Sequence, residues 1–217
     1  MKNAILTGSS GGIGSAISVQ LKEAGYSVLT LKSRLEDFQS LQAEVHKILS
    51  AGDIDVLINC AGFGIFQPHE EISVSQIRQM VEVNLTGPMV LVNLCLRSLK
   101  KTGGHIISIS SVEATRHSKF SALYTATKSG LRDFSLSLFE EVRKSGVKVS
   151  SINPDITRTA FFDELSFEPA ADSSAYLNPD EVAGAVLTVL KADGAITDLT
   201  IRPLKSGVKK KGRSGSR

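Results

Sequence analysis

The stretch that most constrains this fold is the first two dozen residues. A short apolar run, Ala4-Ile5-Leu6, leads straight into Thr7-Gly8-Ser9-Ser10-Gly11-Gly12-Ile13-Gly14. Ile13, Ala16, Ile17, Gln20, Leu21 and Ala24 then recur at the spacing of one helical face. This predicts a buried strand, a glycine-rich turn and a helix. The glycines let the backbone turn sharply and approach a bound group with no side chain between them. The helix start adds free N–H groups and a positive dipole end. That combination suits the pyrophosphate of a dinucleotide, with Gly8, Ser9, Ser10, Gly12, Ile13 and Gly14 as the contacts. A plain turn joining strand to helix is the competing reading.

Further along, the same alternation repeats. Ser27–Leu31 reads as a second strand, and Leu35, Phe38, Leu41, Val45 and Ile48 fall on one helical face. Ile54–Ile58 is a buried strand. Ser73 with Gln76 resembles a capping box opening a helical stretch toward Asn84. Pro88–Lys100 continues helical until Gly103-Gly104. Strands follow at Ile106–Ser110, Val147–Ile152 and Ile196–Ile201. Helices follow at Tyr124–Lys144 and from Pro179 to about Lys191. Alternating β and α with short connections predicts a single α/β domain, a Rossmann-like, doubly wound parallel sheet with ligands at the strand C-termini.

Tyr124 and Lys128 stand four apart on a predicted helix, so they share a face. Ser111 lies thirteen residues before the tyrosine, at the end of the run Ile106-Ile107-Ser108-Ile109-Ser110-Ser111. A phenol has an ordinary pKa of about 10, and a neighbouring ammonium favours its ionised form. A hydroxyl beside it can hold a substrate oxygen. The set suits proton exchange with an alcohol or carbonyl. Such a pair is also common on ordinary helix surfaces, and the N-terminal turn is what lifts it above that.

With these motifs in place, the chain resembles the short-chain dehydrogenases/reductases. Thr7 to Gly14 match their Thr-Gly-x-x-x-Gly-x-Gly motif. Asn59-Cys60-Ala61-Gly62 resembles their Asn-Asn-Ala-Gly, with cysteine second. Asn84-Leu85-Thr86-Gly87 matches Asn-x-x-Gly, and Ser111, Tyr124 and Lys128 match the family triad in order and spacing. Pro154-Asp155-Ile156-Thr157-Arg158-Thr159 resembles Pro-Gly-x-x-x-Thr, with aspartate replacing glycine. The resemblance runs from residue 1 to about 203. It implies interconversion of a carbonyl and a secondary alcohol by hydride transfer. Tyr124 would be the general acid or base, Lys128 would lower its pKa, and Ser111 would hold the substrate oxygen. Asn84 would organise a water linking Lys128 to solvent. Ser110 would be structural. Asn59, Ala61, Gly62, Pro154, Thr157 and Thr159, with Tyr124 and Lys128, would line the cofactor site.

Asn59 follows Lys32 by only 27 positions. The family usually places a helix, a strand and a second helix there, and this interval holds one helix. The usual third strand and one flanking helix are therefore expected to be missing, leaving six parallel strands with the second at an edge. The acid that normally contacts adenine has no clear counterpart. After the second strand come Lys32, Ser33 and Arg34, where a carboxylate would select NAD. Two cations and a hydroxyl suit a 2′-phosphate. NADP(H) is expected over NAD(H), although Gly11 lacks the basic side chain of many NADP-preferring relatives.

The charge balance separates body from tail. Residues 205–217 hold six of the 25 basic residues and no acidic one, so the body carries 19 basic against 22 acidic. Residues 1–204 are read as the catalytic domain and 205–217 as a basic, disordered tail. Phe161, Phe162, Leu165, Phe167 and Tyr176 sit where the family places a lid, with Phe63 and Phe66 near the cleft. They suggest a small, fairly apolar carbonyl or alcohol substrate. Cys60 and Cys95 match no metal-ligand or disulfide spacing, the histidines form no metal set, and His117 reads as a solvent-exposed loop residue. No metal is expected. No leader or membrane-length apolar run is evident, so a cytoplasmic protein is expected. The helices near Asn84 and Tyr124 are apolar nearly all round, which predicts a homodimer or homotetramer. Two other classes compete. A non-catalytic NADP-sensing regulator on this fold would need none of Asn84, Ser111, Tyr124 and Lys128. A nucleic-acid binder using the tail is disfavoured by the acidic body.

Overall fold

Strand β1 (Lys2–Leu6) lies inside the sheet. It pairs in parallel with β2 (Tyr26–Thr30) on one side and β3 (Val56–Asn59) on the other. The sheet continues through β4 (His105–Ile109), β5 (Lys148–Pro154) and β7 (Asp198–Ile201), all parallel, in the order β2-β1-β3-β4-β5-β7. A separate antiparallel pair joins β6 (Phe167–Pro169) to β8 (Val208–Lys210). The computed structural model describes residues 1–205 and 207–211.

Period-two alternation builds two apolar layers from each strand. From β1, Ile5 faces a core shared with α2 (Phe38–Ala51), α4 (Gly87–Thr102) and α5 (Ala122–Val142). Ala4 and Leu6 face the opposite core, shared with α1 (Gly12–Glu23) and α6 (Pro179–Lys191). Helices thus cover both faces, and the sheet is doubly wound. Between β2 and β3 the only regular element is α2. The third strand expected of the family is absent, and β2 forms the edge.

The stretch Val74–Thr102 is continuous helix: α3 (Val74–Val81), a π-turn over Glu82–Thr86, then α4. By length and composition alone it is apolar enough to cross a bilayer. Its residues Met80, Leu91, Val92, Cys95 and Leu99 instead fill the two adjoining cores.

The C-terminal tail differs from expectation in its first part. Val208–Lys210 is a strand rather than disordered chain. Lys205 Nζ donates to Asp172 at 2.8 Å, and Lys211 Nζ donates to the Phe162 and Asp163 carbonyls at 2.5 and 2.8 Å. The basic run finds acidic and carbonyl partners on the 160–176 segment. Composition records the charge but not the partner. Residues 206 and 212–217, which include Arg213 and Arg217, lie outside the described residues.

His105 on β4 is buried, with Nε2 2.8 Å from Ser150 Oγ on β5. Burial, helped by Lys148, pushes its pKa down to about 4 from an ordinary 6.5. Between those values the unfolded chain takes a proton that the folded chain refuses. Stability is therefore complete above pH 6.5 and is lost as pH falls toward 4, by roughly 3 kcal/mol at most. Urea unfolding at pH 7 and 4.5 should show a markedly smaller acid loss in His105→Gln than in the wild type. Equal losses would place the acid sensitivity elsewhere.

Candidate active site

The C-terminal ends of β1, β3, β4 and β5 open onto one region of the molecule, as the parallel register requires. At the end of β1, Thr7 Oγ1 accepts N–H bonds from Cys60 and Ala61 at 2.9 and 3.0 Å. This bond locks the glycine turn to the loop after β3. Gly8 has φ +68, and a Cβ there would stand 2.8 Å from Ala61 Cα. Only glycine turns here without strain or overlap.

Helix α1 begins with Gly11 as its N-cap. No side chain caps it, and no acid stands in its first turn. Its first N–H groups are left for an outside acceptor. A Cβ on Gly12 would lie 2.5 Å from Thr159 Cγ2, so the glycine turn and the loop after β5 are in contact. Ser9, Ser10 and Ile13 line the same turn, Ile13 packing against the α1–α6 core. Thr157 is buried and its Oγ1 donates to the Asp155 carbonyl at 3.0 Å; Pro154 ends β5. Asn59, at the end of β3, is buried with both amide atoms unpartnered among the described residues. A glycine-rich turn, an uncapped helix start and an orphaned amide fit a nicotinamide dinucleotide.

Asn84 owes its position to the π-turn. That turn rotates it out of helical register, a device common at functional sites. It is fully buried. Its Oδ1 accepts from Phe63 N at 3.1 Å, and its Nδ2 donates to Phe63 O and Thr127 Oγ1 at 2.8 and 3.2 Å. A Cβ on Gly62 would meet both Asn84 Oδ1 (3.1 Å) and Lys128 Nζ (3.2 Å), so these three residues converge.

Ser111, Tyr124 and Lys128 gather beside them, the tyrosine 7 % and the lysine 4 % exposed. Lys128 Nζ donates to the Ile109 carbonyl at 2.9 Å, while Ser110 Oγ donates to the Lys128 carbonyl at 2.8 Å. These two bonds fasten α5 to the end of β4. Ser111 Oγ accepts from Glu113 N at 3.1 Å, which leaves its own O–H free to donate. Burial pushes the Tyr124 pKa up to about 12; Ser111 opposes this and the Glu113 charge adds to it. Burial pushes Lys128 down to about 8. The resting pair is a neutral phenol beside a lysine still mostly protonated at neutral pH. Burial drives the Cys60 thiol up to about 12, which keeps it protonated at neutral pH.

An aromatic cluster closes over the tyrosine. Phe66 and Phe161 lie 5.0 and 6.1 Å from the Tyr124 ring, and Phe167 and Phe162 pack behind them. A groove of about 370 Å³ runs outside the first turn of α5, lined by residues including Pro68, Phe120 and Leu123. None of the residues singled out for catalysis or cofactor binding lines it. His117 is exposed.

Sequence reasoning missed two sets of residues here. At the end of β2, the N–H groups of Lys32 and Ser33 already bond to Glu44 at 2.8–3.1 Å, and Arg34 pairs with Glu36 at 2.6 Å. Glu44 arrives from α2, eleven residues past Ser33, and no local spacing marks it. The second set is Glu113, Arg116 and Asp155. Only Asp155 was visible, as a departure from a motif.

The model of the short-chain dehydrogenase family matches residues 35–169. The chain is 28% identical over 229 positions to an uncharacterized oxidoreductase of Staphylococcus aureus, covering 94% of this chain and 97% of that one. A Staphylococcus epidermidis oxidoreductase is 29% identical with the same coverage. Both alignments are longer than the 217 residues here, so these relatives carry positions that this chain lacks. Among solved structures, an alcohol dehydrogenase from Thermococcus sibiricus, complexed with 5-hydroxy-NADP, superposes with TM-score 0.85 at 29% identity, covering 94% and 97% of the two chains. A Burkholderia cenocepacia short chain dehydrogenase in complex with NADP gives TM-score 0.83 at 25% identity, with 93% and 96% coverage. The family match over most of the chain, the six-stranded parallel sheet and the ordered motifs agree: the chain belongs to the short-chain dehydrogenases.

Proposed function

We propose that this protein interconverts a carbonyl and a secondary alcohol, with Tyr124 as the proton-transferring group. The observation that carries this reading is the burial of Tyr124, Lys128, Ser111 and Asn84 together beside an uncapped helix start. A nicotinamide cofactor supplies or accepts the hydride when bound. Gly8, Ser9, Ser10, Gly12, Ile13, Gly14, Asn59, Ala61, Gly62, Pro154, Thr157 and Thr159 would hold it. Ser111 donates to the substrate oxygen and stabilises its developing charge. The neutral Tyr124 phenol gives that oxygen a proton in reduction. The Lys128 ammonium favours the phenolate as it forms. Asn84 fixes the loop after β3 against α5, which keeps Lys128 aimed. In oxidation the same groups run in reverse. The aromatic cluster around Tyr124 suits a fairly apolar substrate. The test is a panel of apolar ketones and aldehydes with NADPH and with NADH. Steady consumption of reduced cofactor is expected. No turnover with any carbonyl or alcohol would overturn the reading.

The cofactor reading is NADP(H). Two neighbours at 25–29% identity are described as NADP or NADP-derivative complexes, and Lys32, Ser33 and Arg34 offer two charges and a hydroxyl. Glu44 opposes this. Its burial would raise its pKa, but the Lys32 and Ser33 donors outweigh that and keep it ionised. A 2′-phosphate must displace it. Charge-assisted bonds are worth about 1.5–3 kcal/mol each. Replacing Lys32 and Arg34 by alanine should therefore weaken NADPH at least tenfold while sparing NADH. Glu44→Gln should tighten NADPH. Calorimetry showing equal weakening of both cofactors would overturn the preference.

For assembly, the proposal is a two-fold pair through α4 and α5, whose Met89, Leu94, Phe134 and Leu136 are only partly covered. Light scattering at a monomer mass near 23 kDa would remove it. A cytoplasmic location is part of the same proposal.

A further inference from the structure

Where the family carries glycine after the β5 proline, this chain carries Asp155, and its side chain is 3 % exposed. A carboxylate buried that deeply needs partners. Oδ1 accepts from Ile156 N at 2.9 Å and meets Arg116 at 3.4 Å, and Oδ2 accepts from Arg202 Nε at 3.0 Å. Arg202 follows β7 directly. Arg116 Nε also donates to Glu113 Oε1 at 2.7 Å, which accepts from Ser118 Oγ at 2.9 Å. The backbone N–H of Glu113 in turn bonds Ser111 Oγ. Among the described residues, Glu113 Oε2 is buried without a partner, and Arg116 is the one cation paired with this carboxylate.

The network therefore joins the C-terminal ends of three adjacent strands. One end carries Ser111. Another carries Thr157 and Thr159. Neither loop has a backbone ladder to the other past Ser110, whose N–H is the last to bond β5. Charged side chains replace the missing ladder. In such networks removing one partner leaves a buried charge uncompensated, which costs more than the pair is worth.

We propose that Asp155 and Arg116 are positioning residues that, with Glu113, clamp the Ser111 loop to the Thr157–Thr159 loop, so that substrate oxygen and cofactor site are held in register. The consequence for turnover rests on the function proposed above; the clamp itself does not. A loss of register of about 1 Å is enough to slow a reaction that depends on near-attack geometry.

Hydrogen exchange and kinetics test this together, on the full chain. Asp155→Asn keeps the shape and removes the charge. Arg116→Gln alters a half-exposed side chain and spares the core. Each should speed exchange at least tenfold in both 111–118 and 155–162, while β4 and β5 keep their protection. Each should lower kcat about tenfold with the NADPH dissociation constant changed less than threefold. The double variant should be no worse than the more damaged single one, and Arg116→Lys should restore part of the loss. Unchanged exchange in 111–118, or two effects that simply multiply, would overturn the clamp. If the wild type turns over no carbonyl, the functional reading falls, and the exchange result still decides the clamp.

Discussion

Tyr124→Phe should abolish measurable turnover while the protein folds and binds reduced cofactor as before. The substitution removes one hydroxyl and keeps the ring that packs against Phe66 and Phe161. The partner of that hydroxyl is Ser111, itself a residue of the candidate site, so stability should change little. A positioned acid or base contributes about 10²–10⁴-fold, and in the proposed function this hydroxyl also helps hold the substrate oxygen, so the loss belongs at the upper end. The pH profile supplies an independent check. Tyr124 stays neutral up to about 12, so the acid itself is not what titrates in the working range. Lys128 is, because burial brings it down to about 8. Reduction by the wild type should hold level below pH 8 and fall above it, as the charge that favours the forming phenolate disappears. Oxidation, which needs the phenolate, should not share that plateau. Near-normal turnover by the purified Phe variant would refute the assignment of Tyr124.

The parts of the site that could be read from sequence are those set by local geometry. A glycine turn between strand and helix needs residues adjacent in the chain, so Thr7–Gly14 announces itself. Tyr124 and Lys128 are one helical turn apart, and their shared face follows from the period alone. The shortened interval between Lys32 and Asn59 is a matter of counting, and the sheet lacks the strand accordingly. What escaped depends on contacts across the fold. Glu44, on α2, accepts from the Lys32 and Ser33 N–H groups just past β2, contacts twelve and eleven residues away in the chain. Arg116 meets Asp155, 39 positions further along the chain. The antiparallel pairing of β8 with β6 joins two strands, Val-Lys-Lys and Phe-Glu-Pro, that at three residues each are too short to establish a period. Asn84 is an intermediate case. Its motif was legible, but the π-turn that rotates it inward is a backbone event that no residue spacing encodes.

Gly14→Ala should eliminate cofactor binding, an effect nearly as large as losing Tyr124 and of a different kind. A methyl at Gly14 would overlap the Gly8 carbonyl oxygen and stand 2.7 Å from the Gly8 carbonyl carbon and 3.1 Å from Ser9 Cα. All three are backbone atoms, so no side chain can swing aside. The turn must move, and its freedom is small. Gly11 N bonds the Gly8 carbonyl at 3.1 Å, Thr7 N bonds Ile58 O at 3.1 Å, and Thr7 Oγ1 holds the loop after β3. Relief therefore comes from displacing α1 or opening the turn. Either spoils the alignment of the helix N–H groups on which anion binding depends. The expected stability loss is 1–3 kcal/mol, about that of an overpacked core, and most of a typical domain's 5–15 kcal/mol remains. Binding should be lost outright, by more than a hundredfold. Fluorescence titration with NADPH on the folded variant, set beside its thermal unfolding, separates the two effects. A variant that binds NADPH within tenfold of the wild type would show that the pyrophosphate does not use this turn. The glycine-rich segment would then be only the connection between β1 and α1.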